Sequence, residues 1–270
     1  MRMTVGPRAV VAGDFAACHD HARQCRTFAE IIGSDPRLRG RVLDAGCGAN
    51  GPTIDHYYEM YRLPAQLDGL DPMPGVENNP WIHRAWHGEF QQCPVPENEY
   101  DAVITINVVE HVENPETFLR KAFAVLKPGG AIFATTPNGF HPFPVCVRLV
   151  QALGLKSRMV AGHHGWNDYP AHYRLNTRSA VQRFGERAGF AEAQVHYYPN
   201  MQWWGYWPRP LVFVPATFDW LIGCRFMPVF QQILWRLQKP GEWAGPTLDK
   251  TASNKPQIAS AQSQTVGAPA

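Results

Sequence analysis

The stretch VLDAGCGANG, residues 42–51, sets glycines at G-x-G-x-x-G spacing behind an aspartate. Gly46, Gly48 and Gly51 are the kind of turn that lets backbone approach a ligand closely. Asp71 follows Gly51 by about 20 residues, where a dinucleotide-binding turn places its ribose acid. The glycines and Asp71 alone would suit a nicotinamide dinucleotide. Asp44 would not. A carboxylate at the end of a buried strand is costly unless compensated, and beside a pyrophosphate it adds repulsion. Beside a cation it helps. S-adenosylmethionine carries a sulfonium and an ammonium and no phosphate, so Asp44 favours that cofactor.

The residues best suited to move a proton are histidines. His111 follows Glu110 directly, and His141 lies in PNGFHPF. Both are candidate bases, although for the Glu-His pair a structural role is the preferred reading. His163, His164, Asp168, Tyr169, His172 and Tyr173 cluster in GHHGWNDYPAHYR. These residue types can hold zinc, but nothing in their spacing fixes a geometry. The assignment is no metal, and a polar cover over a substrate is preferred to an ordinary surface loop.

These groups need elements to position them. DFAACHDHARQCRTFAEII (14–32) carries Phe15, Cys18, Ala22, Cys25, Phe28 and Ile32 at helical spacing behind a capping Asp14. RVLDA (41–45) is a short buried strand, TIDHYYEMYR (53–62) a helix, AQLDGLD (65–71) a second strand and WIHRAWHGEF (81–90) a weaker third. YDAVITIN (100–107) reads as a strand buried on both faces. NPETFLRKAFAVL (114–126) is a helix capped by Asn114 and stopped by Pro128-Gly129-Gly130. AIFATTPN (131–138) is a strand, NTRSAVQRFGERAGF (176–190) a helix ending at Gly189, and EAQVHYY (192–198) and QILWRLQK (232–239) are strands. Strand-helix alternation predicts an α/β fold: a Rossmann-like, doubly wound, mostly parallel seven-stranded sheet with helices on both faces. One domain is expected over residues 1–244, with insertions at about 139–175 and 199–231 forming a substrate cap, and a disordered tail over 245–270.

Four stretches, in order, resemble the class I S-adenosylmethionine-dependent methyltransferases, particularly the small-molecule branch that includes ubiquinone-biosynthesis enzymes. VLDAGCG (42–48) is similar to their first motif and LDGLDP (67–72) to their second strand with its acid. YDAVITINVVEHVENPETFLRKAFAVLKPGG (100–130) is similar to the fourth strand, the Glu-His turn and the following helix, and IFATTPN (132–138) to the fifth strand. The resemblance implies that Asp44, Gly46, Cys47 and Gly48 shape the methionine end of the cofactor site. Asp71, followed by Pro72, would take the ribose hydroxyls. Gly88, Glu89 and Phe90 fall where the family contacts the adenine amino group, with Glu89 replacing the commoner aspartate. Asn107 and Val108 would border the methionine moiety. One position departs: Asn50 stands where the family often has a third glycine, and Gly51 follows it.

The implied activity is methyl transfer to a small, apolar or aromatic acceptor, at oxygen before carbon. A nicotinamide oxidoreductase and a non-catalytic interaction module on the same fold are the rival readings. The segment NMQWWGYWPRPLVFVPATFDWLIG (200–223), with Trp203, Trp204, Tyr206 and Trp207, is the main clue to the acceptor. Its rings would cover an apolar or lipid-like acceptor, meet a membrane face, pair two subunits, or pack on the domain itself. The formal charge of +2, with charges mixed along the chain, gives no nucleic-acid footprint. The six cysteines form no C-x-x-C pair and read as reduced thiols of a cytoplasmic protein, peripheral membrane contact included. Pro215, Asp219, Arg225 and Pro228 interrupt the apolar run at 210–230, so a transmembrane helix is not expected there.

Overall fold

The computed structural model describes residues 32–49, 64–155, 169–198, 213, 214, 217, 232–246 and 257–259. The strands are β1 (Arg41–Ala45), β2 (Gln66–Asp71), β3 (Arg84–His87), β4 (Tyr100–Ile106), β5 (Leu126–Pro137), β6 (Glu192–Tyr198), β7 (Gln232–Gln238) and β8 (Gln257–Ala259). They form one sheet of eight strands rather than seven, in the order β6-β7-β5-β4-β1-β2-β3-β8. β7 runs antiparallel to both neighbours, and every other pairing is parallel. The additional strand, β8, pairs with β3 and comes from the tail read as disordered.

Alternate side chains of the strands serve two cores, as a period of two requires. Leu43, Val103, Ile132 and Trp235 join one cluster. Val42, Ala102, Ile104, Phe133 and Leu234 join the other, together with Ile32 and Leu38. The helices expected over 14–32 and 53–62 lie outside the described residues, apart from Ile32.

Helix α1 (Pro115–Val125) starts where its sequence predicts: Asn114 Oδ1 accepts the Thr117 N–H at 3.1 Å, and Pro115 occupies the first turn. Its end differs from expectation. The helix stops at Val125, ahead of Pro128, and Leu126-Lys127-Pro128-Gly129-Gly130 is already strand. Burial of Leu126 opposite Tyr100 decides this, with a register shift between Tyr100 and Ala102 absorbing the irregularity. Gly129 has φ of 72°, and a Cβ there would lie 2.5 Å from the Trp243 backbone nitrogen, so the glycine makes room for a chain crossing and is no helix stop.

Helix α2 (Pro142–Ala152) lies within the stretch taken as an insertion and was not expected. Helix α3 (Arg178–Ala188) runs between a Thr177 cap and a left-handed Gly189, as its sequence predicts. It packs beside α1 and against β7, where Gly185 leaves room for Leu237.

Candidate functional site

Strand order reverses between β4 and β1, so the carboxyl ends of β4, β1, β2 and β3 line up beside a topological switch point. Open α/β sheets bind ligands there. Asp44 sits in β1 between Gly69 and Ile104 and is 2% exposed. The chain then turns: the N–H groups of Gly46 and Cys47 both donate to the Leu70 carbonyl, at 2.7 and 3.2 Å. Gly46 has φ of 108°, and a Cβ there would lie 2.2 Å from Val108 Cγ2. The glycine loop therefore rests directly on Val108, which binds the first motif to the turn after β4.

Asp71 ends β2. Its Oδ2 accepts the Gly48 N–H at 2.8 Å and its Oδ1 accepts the Met73 N–H at 2.8 Å. Each carboxylate oxygen keeps capacity for a further donor such as a ribose hydroxyl. Burial raises the Cys47 thiol well above its ordinary range, and the Asp44 and Asp71 carboxylates push it further the same way. The thiol is thus neutral packing between two acids, one at the end of β1 and one at the end of β2. Two acids so placed suit a cationic ligand.

The third strand end is more mixed. Gly88 donates its N–H to the Asp71 carbonyl at 3.0 Å and has φ of 143°. Glu89 is exposed, and Pro72 is exposed with its carbonyl 3.1 Å from His87 Nε2. Phe90 points elsewhere: its ring is buried edge-on against Phe118 at 5.2 Å, so its side chain belongs to the core. Asn107, just past β4, has φ of 54°, donates its N–H to Thr135 O at 2.9 Å and accepts from Gln232 Nε2 at 3.4 Å. Asn50 and Gly51 lie outside the described residues.

The two candidate bases sit in different surroundings. His111 is partly exposed, and its Nδ1 lies 2.8 Å from the Pro170 carbonyl. Donation by Nδ1–H to that carbonyl fixes the tautomer and leaves Nε2 as the basic nitrogen. His141 is fully buried and caps α2, its Nδ1 accepting the Phe143 N–H at 3.2 Å. That histidine shapes a helix start. Of the polar cluster, Tyr169 stacks edge-on near His111, and the N–H groups of His172 and Tyr173 donate to the Glu110 carbonyl. His163, His164, Asp168, Trp203, Trp204, Tyr206 and Trp207 lie outside the described residues.

Three contributions were missed in the sequence. Asn79 reaches the glycine loop, Gln232 reaches Asn107, and a buried relay joins Asn176, Thr136 and Glu110. In that relay Asn176 Nδ2 donates to Thr136 Oγ1 at 2.7 Å, and Thr136 Oγ1 donates to Glu110 Oε2 at 2.8 Å. None belongs to a local motif. The sequence does show Asn79 directly before Pro80, between two expected strands.

A family model described as a methyltransferase domain matches residues 19–195. The chain is similar to the ubiquinone biosynthesis O-methyltransferase of Methylobacterium sp. (strain 4-46), 33% identical over 167 residues, which covers 57% of this chain and 61% of that protein. It is also similar to the mitochondrial ubiquinone biosynthesis O-methyltransferase of Homo sapiens, 31% identical over 146 residues, 50% of this chain and 38% of the relative. The chain thus spans about half the length of the curated relatives it matches. Among solved structures, geranyl diphosphate C-methyltransferase from Streptomyces coelicolor A3(2) superposes with a TM-score of 0.53 at 13% identity, covering 86% of this chain and 83% of that one. That likeness shows the shared fold.

Proposed function

The chain belongs to the methyltransferase-domain family, and from that premise we propose that it moves a methyl group from S-adenosylmethionine to a small apolar or aromatic acceptor, at oxygen before carbon. The observation that carries the reading is Asp44, buried at the end of β1 behind a glycine loop whose other acid is Asp71. Two carboxylates around one tight loop fit a sulfonium and an ammonium and disfavour a pyrophosphate. The nicotinamide rival loses its ground there, and the complete set of Asp44, Gly46, Gly48 and Asp71 speaks against an inert module.

The residues present fit that cofactor. Asp44, Gly46, Cys47 and Gly48 would line its methionine end with Asn107 and Val108, Asp71 and Pro72 its ribose, and Gly88 with Glu89 and the Phe90 backbone its adenine. When bound, the cofactor supplies an already activated methyl group. The chain's own task is then chiefly to hold the acceptor in line at about 3–3.5 Å. A hydroxyl acceptor also gives up a proton. His111 is the base of this reading, because the Pro170 carbonyl orients its ring and leaves Nε2 to accept.

Two features favour an apolar acceptor delivered from a lipid surface. The relatives are named for ubiquinone biosynthesis and O-methylation. Beside the site, α2 and its approach turn apolar side chains to solvent: Phe140 is 60% exposed, Leu149 61% and Leu153 62%. No described helix is long and apolar enough to cross a membrane. The contact of this reading is peripheral, at the membrane's cytoplasmic face. The segment 199–231, with Trp203, Trp204, Tyr206 and Trp207, would complete the acceptor cover with part of 139–175.

Calorimetry with S-adenosylmethionine, S-adenosylhomocysteine and NAD tests the cofactor, and labelled-methyl transfer into a lipid and metabolite extract tests the acceptor. Binding of both sulfur ligands, with label in an apolar product, is the expected result. Binding of NAD alone would overturn the reading.

A further inference from the structure

We propose that Asn79 is a positioning residue for the cofactor loop, gripping with its side-chain amide the same glycine that Asp71 grips. The inference rests on the cofactor reading above. Asn79 follows a short 3-10 turn, Val76–Asn78, and is 3% exposed. Its Nδ2 donates to the carbonyls of Cys47 and Gly48, both at 3.3 Å, and its Oδ1 accepts the Trp81 N–H at 3.1 Å. Gly48 is thereby held at both of its polar backbone groups: its N–H by Asp71 and its carbonyl by Asn79.

The chemistry calls for an amide. Only a side chain with two N–H donors and an acceptor on one planar group can serve two loop carbonyls and a third backbone N–H together. With the carbonyls of Cys47 and Gly48 tied to Asn79, the peptide planes of the loop are set before ligand arrives. The Asp71 carboxylate is set with them, because Gly48 N–H is one of its partners. A preformed loop binds more tightly than one ordered by its ligand. The acceptor side of the site has no part in this contact, so the effect belongs to cofactor affinity.

The test is titration of S-adenosylhomocysteine into wild type, Asn79→Asp, Asp71→Asn and the double variant. Asn79→Asp keeps the shape, loses both donors and sets a carboxylate against two carbonyl oxygens. It should weaken affinity by about tenfold or more, with helical signal retained, and the double variant should lose less than the product of the two single losses. Wild-type affinity in Asn79→Asp would overturn the assignment. So would losses that multiply independently, because Asn79 would then act apart from the Asp71 grip. Should Asn79→Asp fail to fold, Asn79→Ser, uncharged and keeping one donor, carries the same titration, with a smaller loss supporting the grip and unchanged affinity refuting it. No binding by wild type would instead refute the cofactor reading itself, and Asn79's role with it.

Discussion

Glu110 shows what a single side chain can do inside this fold. It is buried 26 residues ahead of the threonine that holds it, and its own carbonyl anchors His172 and Tyr173. Burial raises its carboxyl above the ordinary value of 4.5, with His111 opposing the shift. A carboxyl with a raised folded pKa binds its proton more tightly in the fold than in the unfolded chain. Its stabilisation is full below the unfolded value and is lost as pH climbs through the folded one. Glu110→Gln mimics the protonated form and does not titrate. Its melting temperature relative to wild type should therefore improve steadily from about pH 4.5 upward. A difference that stays flat from acid to neutral pH would show that folding leaves the Glu110 carboxyl unshifted. Residues of this kind were beyond sequence reading for a simple reason. Asp44, Gly46 and Gly48 lie in one short motif, whereas Asn79 meets its loop across 31 and 32 positions and Asn176 meets Thr136 across 40.

At the scale of elements, the strands were the most legible. β1 falls where the apolar run 41–45 places it, because a short buried run bounded by polar or glycine residues has few other ways to fold, and the edge strand β6 falls on 192–198 as read. Two elements resisted. α2 begins Pro142-Phe143-Pro144, and the prolines obscure a helix that tolerates them only in its first turn. β8 has too short a run to be distinguished from an unstructured tail. α2 is unusual in another respect: Pro144 is its only buried residue, while Val145 and Leu149 on α2 and Leu153 at its C-cap, spaced four apart, stand exposed. Spacing of four puts them on one stripe. Replacing Leu149 and Leu153 together by glutamate removes apolar area and adds charge on that stripe. Cosedimentation with anionic phospholipid vesicles should fall several-fold, while calorimetric affinity for S-adenosylhomocysteine stays within a factor of two. Unchanged cosedimentation would exclude α2 as the lipid-facing element.

The whole molecule divides labour between the two edges of its sheet. The carboxyl edge carries the loops proposed to hold the cofactor; the opposite edge carries ion pairs. There Asp101 is fully buried and accepts from Arg41 N–H at 2.8 Å, Lys127 Nζ at 2.9 Å and Trp243 Nε1 at 3.0 Å. Arg41 also pairs with Asp68 and Glu99. Removing one partner from a buried pair strands the others, typically at a cost of about 3–5 kcal/mol. Asp101→Ala should thus lower the denaturation midpoint strongly and leave cofactor affinity of the remaining folded protein unchanged. A matching loss of affinity would mean that the two edges are coupled through the strands. The division was only half visible beforehand: parallel strands and a glycine loop identify the working edge, but these ion pairs join residues 26 to 58 positions apart and the Trp243 hydrogen bond spans 142. The reversal of β7 has its own consequence. Tyr198 pairs with Gln232, so residues 199–231 leave and rejoin the sheet at a single rung. Beneath that rung β7 is paired along its length with both β5 and β6, and closing a loop there depends weakly on length, by roughly 0.6 kcal/mol per doubling. If 199–231 is the acceptor cover proposed above, the stretch is an exchangeable cartridge. A variant with 199–231 replaced by a two-residue Asn-Gly hairpin should keep its sheet and bind S-adenosylhomocysteine while turnover of the natural acceptor disappears, and loss of ligand binding would show the cartridge to be part of the frame. On the proposed reading, with 199–231 as the acceptor cover, descendants of such a chain can trade one acceptor for another by rewriting that stretch, with the inherited cofactor machinery left untouched.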